Sequence, residues 1–271
     1  GEIAGIGLGI AGVVDADQGL VYWSPSLTRR NVDLARLLND RLARPTFVDN
    51  DANLVAVAEK NFGLGQAHSD FIVVTIEAGV GMGLVLNNRL YRGARGLGTE
   101  LGHTKVQLDG ALCRCGRRGC VEAYAGNYAI WRNAKSLNEE DAYATDISDE
   151  EMLALAQAAR DHPGPEREAF RRAGEAIGFG LGSLFSLIDP APVAIVGQGA
   201  LAFDLVEGPM LEALAKTAGG QHHDLPSFET EPDEMPLIRE GCALRALAFI
   251  DREIFAAGAT TVSNRTGKEV V

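Results

Sequence analysis

Residues 102 to 122 read GHTKVQLDGALCRCGRRGCVE. This stretch holds three of the four cysteines in the chain, Cys113, Cys115 and Cys120, and His103 stands ten residues before the first of them. Cys113 and Cys115 are poorly placed for an ordinary disulfide, because bridged Cα atoms lie about 4.4–6.8 Å apart with compatible Cβ directions. Three thiolates and one imidazole on a short loop suit a tetrahedral Zn²⁺ ion. The alternative is three ordinary free thiols beside an unrelated histidine.

The predicted metal is structural rather than catalytic. Four protein ligands fill a tetrahedral coordination shell, so no water is left on the ion for activation. The loop by itself therefore does not identify a reaction. Further information comes from acidic residues around it, because Glu100 and Glu122 bracket the loop and residues 48–53 upstream read VDNDAN.

These segments together resemble the ROK family, which groups bacterial sugar kinases with sugar-responsive repressors. The resemblance runs from about Gly5 to Ala256 and is most specific in the cysteine-containing loop. It implies that a hexose pocket is lined by Asn50, Asp51, Glu100, His103 and Glu122. In that family the histidine both holds zinc and faces the sugar, so the implied metal ligands are His103, Cys113, Cys115 and Cys120.

The charge of the chain argues against a nucleic-acid-binding surface within it. The 271 residues carry a formal net charge of −12 at pH 7, and the short basic cluster consists of Arg114, Arg117 and Arg118. DNA binding needs basic side chains that displace counterions from phosphates. We therefore expect any contact with DNA to come from a segment outside this chain.

The sequence also predicts a cytoplasmic protein without a membrane partner. No run approaches the roughly 18 uninterrupted apolar residues of a membrane helix, and no signal-peptide pattern is present. Reduced, metal-binding cysteines are typical of the cytoplasm.

Apolar β-rich segments alternate with segments of helical spacing, which favours an α/β fold. The main predicted strands cover residues 3–10, 45–48, 71–76, 84–86 and 193–196, with a hairpin over 13–22. The main predicted helices cover residues 32–42 with Asn31 as N-cap, 52–62, 127–134, 150–160, 168–188, 203–216 and 242–255.

Four glycines interrupt the predicted helix over residues 168–188: Gly174, Gly178, Gly180 and Gly182. Each glycine costs a helix interior about 0.5–1 kcal/mol relative to alanine. Their number therefore predicts close packing of this helix against another backbone.

The resemblance narrows the fold to the two-lobed ribonuclease-H-like architecture shared with actin and hexokinase. It implies a small lobe of residues 1–64 plus 242–257, a large lobe of residues 65–241 and a polar tail of residues 258–271. The chain begins at Gly1 rather than Met. We expect the first strand of the family and its Asp-x-Gly-Gly-Thr phosphate loop to precede this residue.

The predicted nucleotide side departs from the kinase pattern. The family resemblance implies nucleotide contacts by Gly79, Gly81, Gly197 and Gly199, if a nucleotide binds. Kinases of the family tend to have Gly-Thr-Gly where residues 77–79 read Glu-Ala-Gly, and Gln198 replaces a glycine near the adenosine position. A carboxylate repels phosphate, whereas bare backbone N–H groups attract it.

A nearly intact sugar side, in which Ser26 stands where many family kinases carry an Asn, together with an altered nucleotide side favours the sugar-binding effector domain of a ROK-type transcriptional regulator. The implied ligand is a hexose or an N-acetylhexosamine, the implied cofactor is structural Zn²⁺, and the expected assembly is a homodimer or homotetramer. The alternative is a sugar kinase that uses ATP and Mg²⁺, with Asp51 as the base that takes a proton from the sugar hydroxyl. A third hypothesis is a purely structural zinc module without a small ligand.

Overall fold

The computed structural model describes residues 3–94, 96–138, 147–221 and 224–263. The strands are β1 (Ile6–Ile10), β2 (Val13–Asp15), β3 (Leu20–Trp23), β4 (Val32–Asp33), β5 (Thr46–Asn50), β6 (Phe71–Ile76), β7 (Val80–Leu86), β8 (Arg89–Tyr91), β9 (Val193–Val196) and β10 (Phe228–Glu231). The helices are α1 (Leu34–Leu42), α2 (Asp51–Phe62), α3 (Glu122–Ala125), α4 (Asn127–Lys135), α5 (Asp149–Asp161), α6 (Pro165–Phe185), α7 (Phe203–Leu214), α8 (Ala218–Gln221) and α9 (Glu234–Ser263). Within these described ranges, no helix combines the length and the apolar character needed to cross a membrane.

The strands form three sheets. The largest has the order β10-β9-β6-β7-β8, in which β10, β9 and β6 run parallel and β6, β7 and β8 form antiparallel pairs. β1 and β5 form a parallel pair, and β2, β3 and β4 form an antiparallel sheet. The main hydrophobic core lies between the largest sheet and helices α4 to α7. The ends of the parallel strands β6 and β9 bring residues 77–79 and 197–199 to the same sheet edge.

Helix α1 begins two residues later than the sequence predicts, and Asn31 is not its cap. The backbone of Asn31 is left-handed, with φ of +54°, and Val32–Asp33 pairs with β3 as strand β4. Asp33 caps the helix instead, because its side chain accepts a hydrogen bond from the backbone N–H of Arg36 at 3.3 Å.

Strand β7 is longer than the predicted residues 84–86 because its glycines permit close contact with α2. A Cβ at Gly83 would lie 2.5 Å from the carbonyl oxygen of Ala52 and 2.5 Å from Cβ of Ala56. Glycine weakens a strand on average, which is why the sequence pattern starts the strand too late. Here its missing side chain makes room for the helix.

Helix α6 confirms the prediction of close backbone packing, and its partner is α7. A Cβ at Gly174 would lie 2.4 Å from the carbonyl oxygen of Val206, and a Cβ at Gly178 would lie 2.2 Å from that of Met210. The other two predicted glycines face side chains instead.

Helix α9 begins eight residues before the predicted start at residue 242. Pro236 lies in its first turn, where a missing backbone N–H breaks no helical hydrogen bond. Gly241 packs on α2, since a Cβ there would lie 2.2 Å from the carbonyl oxygen of Leu54. The helix continues to Ser263, past residue 258 where the polar tail was expected to begin, and residues 264–271 lie outside the described part of the chain.

Candidate functional site

The four predicted metal ligands lie together. One side-chain donor atom from each of His103, Cys113, Cys115 and Cys120 lies within 4.8 Å of the others. Cys113 Sγ is 3.7 Å from His103 Nδ1, and Cys115 Sγ is 3.8 Å from Cys120 Sγ. A tetrahedral ion with metal–sulfur bonds of about 2.3 Å and metal–nitrogen bonds of about 2.0–2.1 Å separates its sulfurs by roughly 3.8 Å, and sulfur from nitrogen by roughly 3.6 Å. The cluster therefore fits a tetrahedral metal ion bound by three thiolates and an imidazole.

The local fold of the loop explains this convergence. Two isolated antiparallel β-bridges, one between Lys105 and Cys120 and one between Leu112 and Arg118, bring the ends of the loop together. Gly119 is required at the crossing, because its φ is +75° and a Cβ there would collide with the carbonyl oxygen of Gln107.

Lys105 is a feature of the metal cluster that the sequence reasoning missed. Its Nζ atom lies 3.3 Å from Cys120 Sγ and also donates to the carbonyl oxygen of Arg118. Burial raises the pKa of Cys120, and the positive charge of Lys105 opposes this effect by favouring the thiolate, which is the form that binds metal.

Glu122 connects the metal cluster to the glycine-containing turn before β7. It opens α3 and is buried, with Oε1 3.3 Å from Cys113 Sγ and Oε2 3.4 Å from the backbone nitrogen of Val80. The loop thus fixes the position of this carboxylate.

Three of the predicted pocket carboxylates lie close enough to influence one another. Burial in the cleft, followed by the negative charges of Glu122 and Asp51, raises the pKa of Glu100 to about 7. Glu100 nevertheless keeps solvent-exposed surface. Asp51, Glu100 and Glu122 therefore lie within electrostatic range of one another.

Asp51 and Asn50 lie at the start of α2, directly after β5. Burial raises the pKa of Asp51 above its ordinary value. Asn50 caps the helix, because its Oδ1 accepts from the backbone N–H of Asn53 at 3.0 Å, and its Nδ2 donates to the carbonyl oxygen of Gly12 at 2.9 Å. Much of the hydrogen-bonding capacity of Asn50 is therefore used within the protein.

His103 ends a short 3₁₀ turn and faces the metal cluster through Nδ1. Its ring lies edge-on to Trp23, with centroids 6.5 Å apart. Trp23, which no pattern in the sequence singles out, brings an aromatic ring from the end of β3 next to this histidine.

Asp49, in the VDNDAN segment, has a structural role that its sequence position does not predict. Asp49 is 1% exposed and forms two short hydrogen bonds with the guanidinium group of Arg92, at 2.6 and 2.5 Å. Because Asp49 lies in β5 and Arg92 follows β8, this ion pair joins two sheets next to Asn50 and Asp51.

The four glycines predicted for nucleotide contact lie near one edge of the largest sheet, but several of them already have close protein neighbours. A Cβ at Gly79 would lie 2.8 Å from Glu122 Oε2, and one at Gly199 would lie 2.4 Å from Cβ of Ile76. A Cβ at Gly81 would lie 2.5 Å from Thr75 Oγ1. Their missing side chains permit packing within the protein.

Glu77 occupies the turn that the resemblance assigns to a nucleotide. Its Oε1 accepts the backbone N–H of Gln198 at 2.6 Å, and a Cβ at Gly197 would lie 2.6 Å from the same oxygen. Burial raises the pKa of Glu77. Gln198 is itself held by Asn127, whose Nδ2 donates to Gln198 Oε1 at 2.6 Å.

A further acidic residue, Glu234, stands at the start of α9. Burial, followed by the charges of Glu77, Asp51 and Asp233, raises the pKa of Glu234 to about 8. The region between the predicted sugar residues and the predicted nucleotide residues is therefore strongly acidic. No pattern in the sequence pointed to Glu234.

Comparison with known proteins gives consistent matches. The ROK family model matches residues 1–227. A glucokinase of Streptomyces coelicolor is 35% identical over 222 residues, covering 77% of this chain and 69% of the glucokinase. A xylose repressor of Caldicellulosiruptor bescii is 33% identical over 206 residues, covering 74% of this chain and 51% of the repressor. The structure of a ROK family glucokinase from Streptomyces griseus, in complex with glucose and AMPPNP, has a TM-score of 0.74 at 30% identity, covering 90% of this chain and 81% of that one.

These matches confirm the predicted actin/hexokinase-like ATPase fold. The chain spans about half the length of the repressor. The relatives include both glucokinases and repressors, so similarity alone does not choose between these activities. The extent of the family match and the identity to its members show that the chain belongs to the ROK family.

Proposed function

We propose that this chain is the sugar-binding effector domain of a ROK-type transcriptional regulator and does not transfer phosphate. The ligand is a hexose or an N-acetylhexosamine, bound in the acidic space between Asp51, Glu100 and Glu122. Relatives of both ROK classes support a sugar ligand, because one is a xylose repressor and another is a glucokinase crystallised with glucose.

The pocket chemistry suits a ring of hydroxyl groups. Carboxylates accept hydrogen bonds from hydroxyls, and such charge-assisted bonds are roughly twice as strong as neutral ones. His103 uses Nδ1 toward the metal cluster, which leaves Nε2 for a ligand. Trp23 beside it offers an aromatic face to the apolar side of a sugar ring.

The observation that carries the choice of a regulator is the contact between Glu77 and Gln198. An ATP-binding loop offers free backbone N–H groups to phosphate oxygens. Here the carboxylate of Glu77 accepts the backbone N–H of Gln198. This carboxylate also brings negative charge to the position where phosphates would lie. Glu234 adds a further acidic group nearby.

The proposed metal is structural zinc, held by His103, Cys113, Cys115 and Cys120. Because protein atoms supply all four ligands, the ion would stabilise the loop and thereby orient His103 and Glu122. No chemical step is assigned to it.

Regulation of DNA binding would come from motion rather than chemistry. A sugar that binds the closed form better than the open form shifts the population toward closure. In a homodimer or homotetramer, such a shift would change the spacing of DNA-reading helices carried by a segment outside this chain. The proposed moving units are residues 1–64 with 242–257 and residues 65–241.

A sugar kinase using ATP and Mg²⁺ is the second candidate. Asp51 favours it, because this carboxylate lies in the sugar cleft at the start of α2, where a base for the attacking hydroxyl would stand. Gly79 and Gly197 follow the parallel strands β6 and β9 and so lie at the same edge of the sheet, as the nucleotide contacts of a kinase would.

The test combines binding and turnover. A thermal-shift panel of hexoses, pentoses and N-acetylhexosamines should give a concentration-dependent rise in Tm for at least one sugar. Glu122→Gln should abolish that rise, whereas Glu212→Gln, an exposed change on α7, should preserve it. A coupled assay with the same sugar, ATP and Mg²⁺ should give no turnover.

Turnover that disappears in Asp51→Asn would assign the kinase and contradict the regulator. A panel in which no sugar shifts the Tm would contradict sugar binding altogether.

A further inference from the structure

Thr99 has a strained backbone directly before the predicted sugar residue Glu100. Its φ is +69°, in the left-handed region that favours glycine. Within the part of the chain that the structure describes, seven residues other than glycine have a positive φ, and Thr99 is the one with a β-branched side chain. The left-handed conformation is most unfavourable for such a side chain, so the surrounding structure must hold Thr99 in it.

Contacts on both sides of Thr99 hold this conformation. Before it, the backbone N–H of Gly98 donates to the carbonyl oxygen of Arg92 at 3.1 Å, and a Cβ at Gly98 would lie 3.2 Å from the same oxygen. After it, Gly102 packs so closely on β7 that a Cβ would collide with the carbonyl oxygen of Val80. These contacts oppose the local preference of Thr99 for a negative φ.

The backbone of Thr99 determines the turn in which Glu100 lies. Glu100 has φ of −82° and ψ of 55°, and the N–H of Leu101 donates across it to the carbonyl oxygen of Thr99 at 3.0 Å. This geometry is an inverse γ-turn centred on Glu100. Because φ is a rotation about the N–Cα bond of Thr99, relaxation to a negative value would swing Glu100 relative to Gly98.

The hydroxyl of Thr99 does not explain why the strain is kept. Its Oγ1 donates to the carbonyl oxygen of the preceding residue, Gly98, at 2.6 Å, which is a bond between neighbours. Backbone strain of this kind persists where it serves a function, and an observed outlier is a reason to look for one. The residue that follows is Glu100, an exposed member of the predicted sugar site.

We propose that Thr99 is a positioning residue for sugar binding, whose left-handed backbone directs the carboxylate of Glu100 toward the sugar and whose strain limits the affinity. The inference rests on the proposed sugar binding, because Glu100 is one of its predicted contacts. The strained conformation binds the sugar, and relaxation of Thr99 competes with it. The apparent affinity is therefore reduced by the fraction of molecules in which Thr99 has relaxed.

The experiment is isothermal titration calorimetry with the sugar that gives the largest thermal shift, together with the Tm of each variant. Thr99→Gly and Thr99→Asn relieve the strain, because glycine and asparagine tolerate the left-handed region. Thr99→Val is the matched control at the same site, since valine keeps the β-branched shape and loses only the hydroxyl. Ser136→Gly is the control elsewhere, because it replaces a left-handed residue at the exposed C-cap of α4.

Thr99→Gly and Thr99→Asn should each bind the sugar at least about threefold more tightly than the wild type, since more of the protein is in the binding conformation. Thr99→Asn should also raise the Tm by about 2 °C or more. Thr99→Val and Ser136→Gly should keep the affinity of the wild type within about twofold.

A double-mutant cycle tests whether Thr99 acts through Glu100. In a Glu100→Ala background, Thr99→Gly should leave the sugar affinity unchanged, because the carboxylate that Thr99 positions is gone. If Glu100→Ala binds the sugar too weakly to titrate, Glu100→Gln takes its place, and the gain from Thr99→Gly should then be smaller than in the wild type.

A higher Tm of Thr99→Asn without tighter binding would overturn the inference, because the strain would then affect only the stability of the fold. A gain in affinity that is equally large without the carboxylate of Glu100 would overturn it as well, while the proposed sugar site would stand. Failure of every sugar to bind the wild type would instead contradict the proposed function, and this inference with it.

Discussion

Cys115 and Cys120 approach each other across the metal cluster, with sulfur atoms 3.8 Å apart. Cys115→Ser removes one of four ligands, so we expect the bound zinc to fall from stoichiometric to near zero. Because metal binding contributes to folding, the Tm should fall by about 5 °C or more. Elemental analysis and differential scanning fluorimetry measure both effects. Cys242→Ser, a change on α9 outside the cluster, should keep its zinc; a Cys115→Ser protein with stoichiometric zinc would contradict the assignment.

Glu234 predicts a specific dependence of stability on pH. Burial raises its pKa in the folded protein from 4.5 to about 8. Between these pH values the folded state binds more protons than the unfolded state, so the free energy of unfolding falls as pH rises. Glu234→Gln removes this loss, and its Tm relative to the wild type should increase from pH 5 to about pH 8 and then level off.

The control for this titration is Glu212→Gln, which removes one exposed carboxylate from α7. Its Tm should follow the wild type across the same pH range. Parallel pH profiles for Glu234→Gln and the wild type would contradict the burial of Glu234 beside other carboxylates.

Single residues differ in how well the sequence predicts them. The metal ligands could be predicted because they lie within 18 residues and their chemistry depends on residue type alone. The grouping of Asp51, Glu100 and Glu122 followed only from the family resemblance, because spacing does not bring them together. The contact between Glu77 and Gln198 joins residues 121 positions apart, and only the folded chain reveals it.

At the scale of elements, the packing of α6 on α7 depends on particular glycines. Gly178→Ala places a Cβ 2.2 Å from the carbonyl oxygen of Met210, so the helices must separate. We expect the free energy of unfolding to fall by about 1–3 kcal/mol, as is typical of overpacking. Urea denaturation monitored by circular dichroism measures the change.

Gly208 in α7 provides the matched control, since a Cβ there would meet no atom within 4 Å. Gly208→Ala should change the free energy of unfolding by less than about 1 kcal/mol, because the higher helix propensity of alanine is opposed by crowding of its Cβ against Pro209. Equal stability of Gly178→Ala and the wild type would refute the close backbone contact.

Element types were predicted better than element ends. The alternation of β-rich and helical segments identified β6, β9 and α6 because buried strands and long helices carry strong patterns. The start of α1 was misplaced because Asn31 and Asp33 are both plausible caps by residue type, and pairing of Val32 with β3 decides between them. The early part of β7 was missed because its glycines are explained only by α2 on the neighbouring layer.

At the scale of the whole molecule, the ion pair of Asp49 and Arg92 connects the β1–β5 sheet to the edge of the largest sheet. Arg92→Met leaves Asp49 buried without its bidentate partner, although Arg245 Nε lies 3.9 Å away. We expect a loss of about 3–5 kcal/mol in unfolding free energy. Chemical denaturation of the single and double variants measures this coupling.

The double variant Asp49→Asn with Arg92→Met should be more stable than Arg92→Met alone, because no charge is stranded. If the loss of unfolding free energy in the double variant equals the sum of the losses in Asp49→Asn and Arg92→Met, the two residues do not form a direct pair across the sheets.

The overall fold could be predicted because the chain resembles one family over nearly its whole length. The metal loop and the short acidic segment before α2 are the parts that make this resemblance specific. The division into two lobes and the assembly into dimers or tetramers stay predictions, since neither depends on a local pattern. The acidic character of the cleft arises from the start of α2, the metal loop and the residue before it, the turn after β6 and the start of α9 together.

The crystal structure of the protein with its best-binding sugar tests the central claim most directly. We expect electron density for the sugar ring in the cleft, with hydroxyl oxygens within hydrogen-bonding distance of the carboxylates of Asp51, Glu100 and Glu122. A sugar bound elsewhere, with these carboxylates turned away from it, would contradict the account.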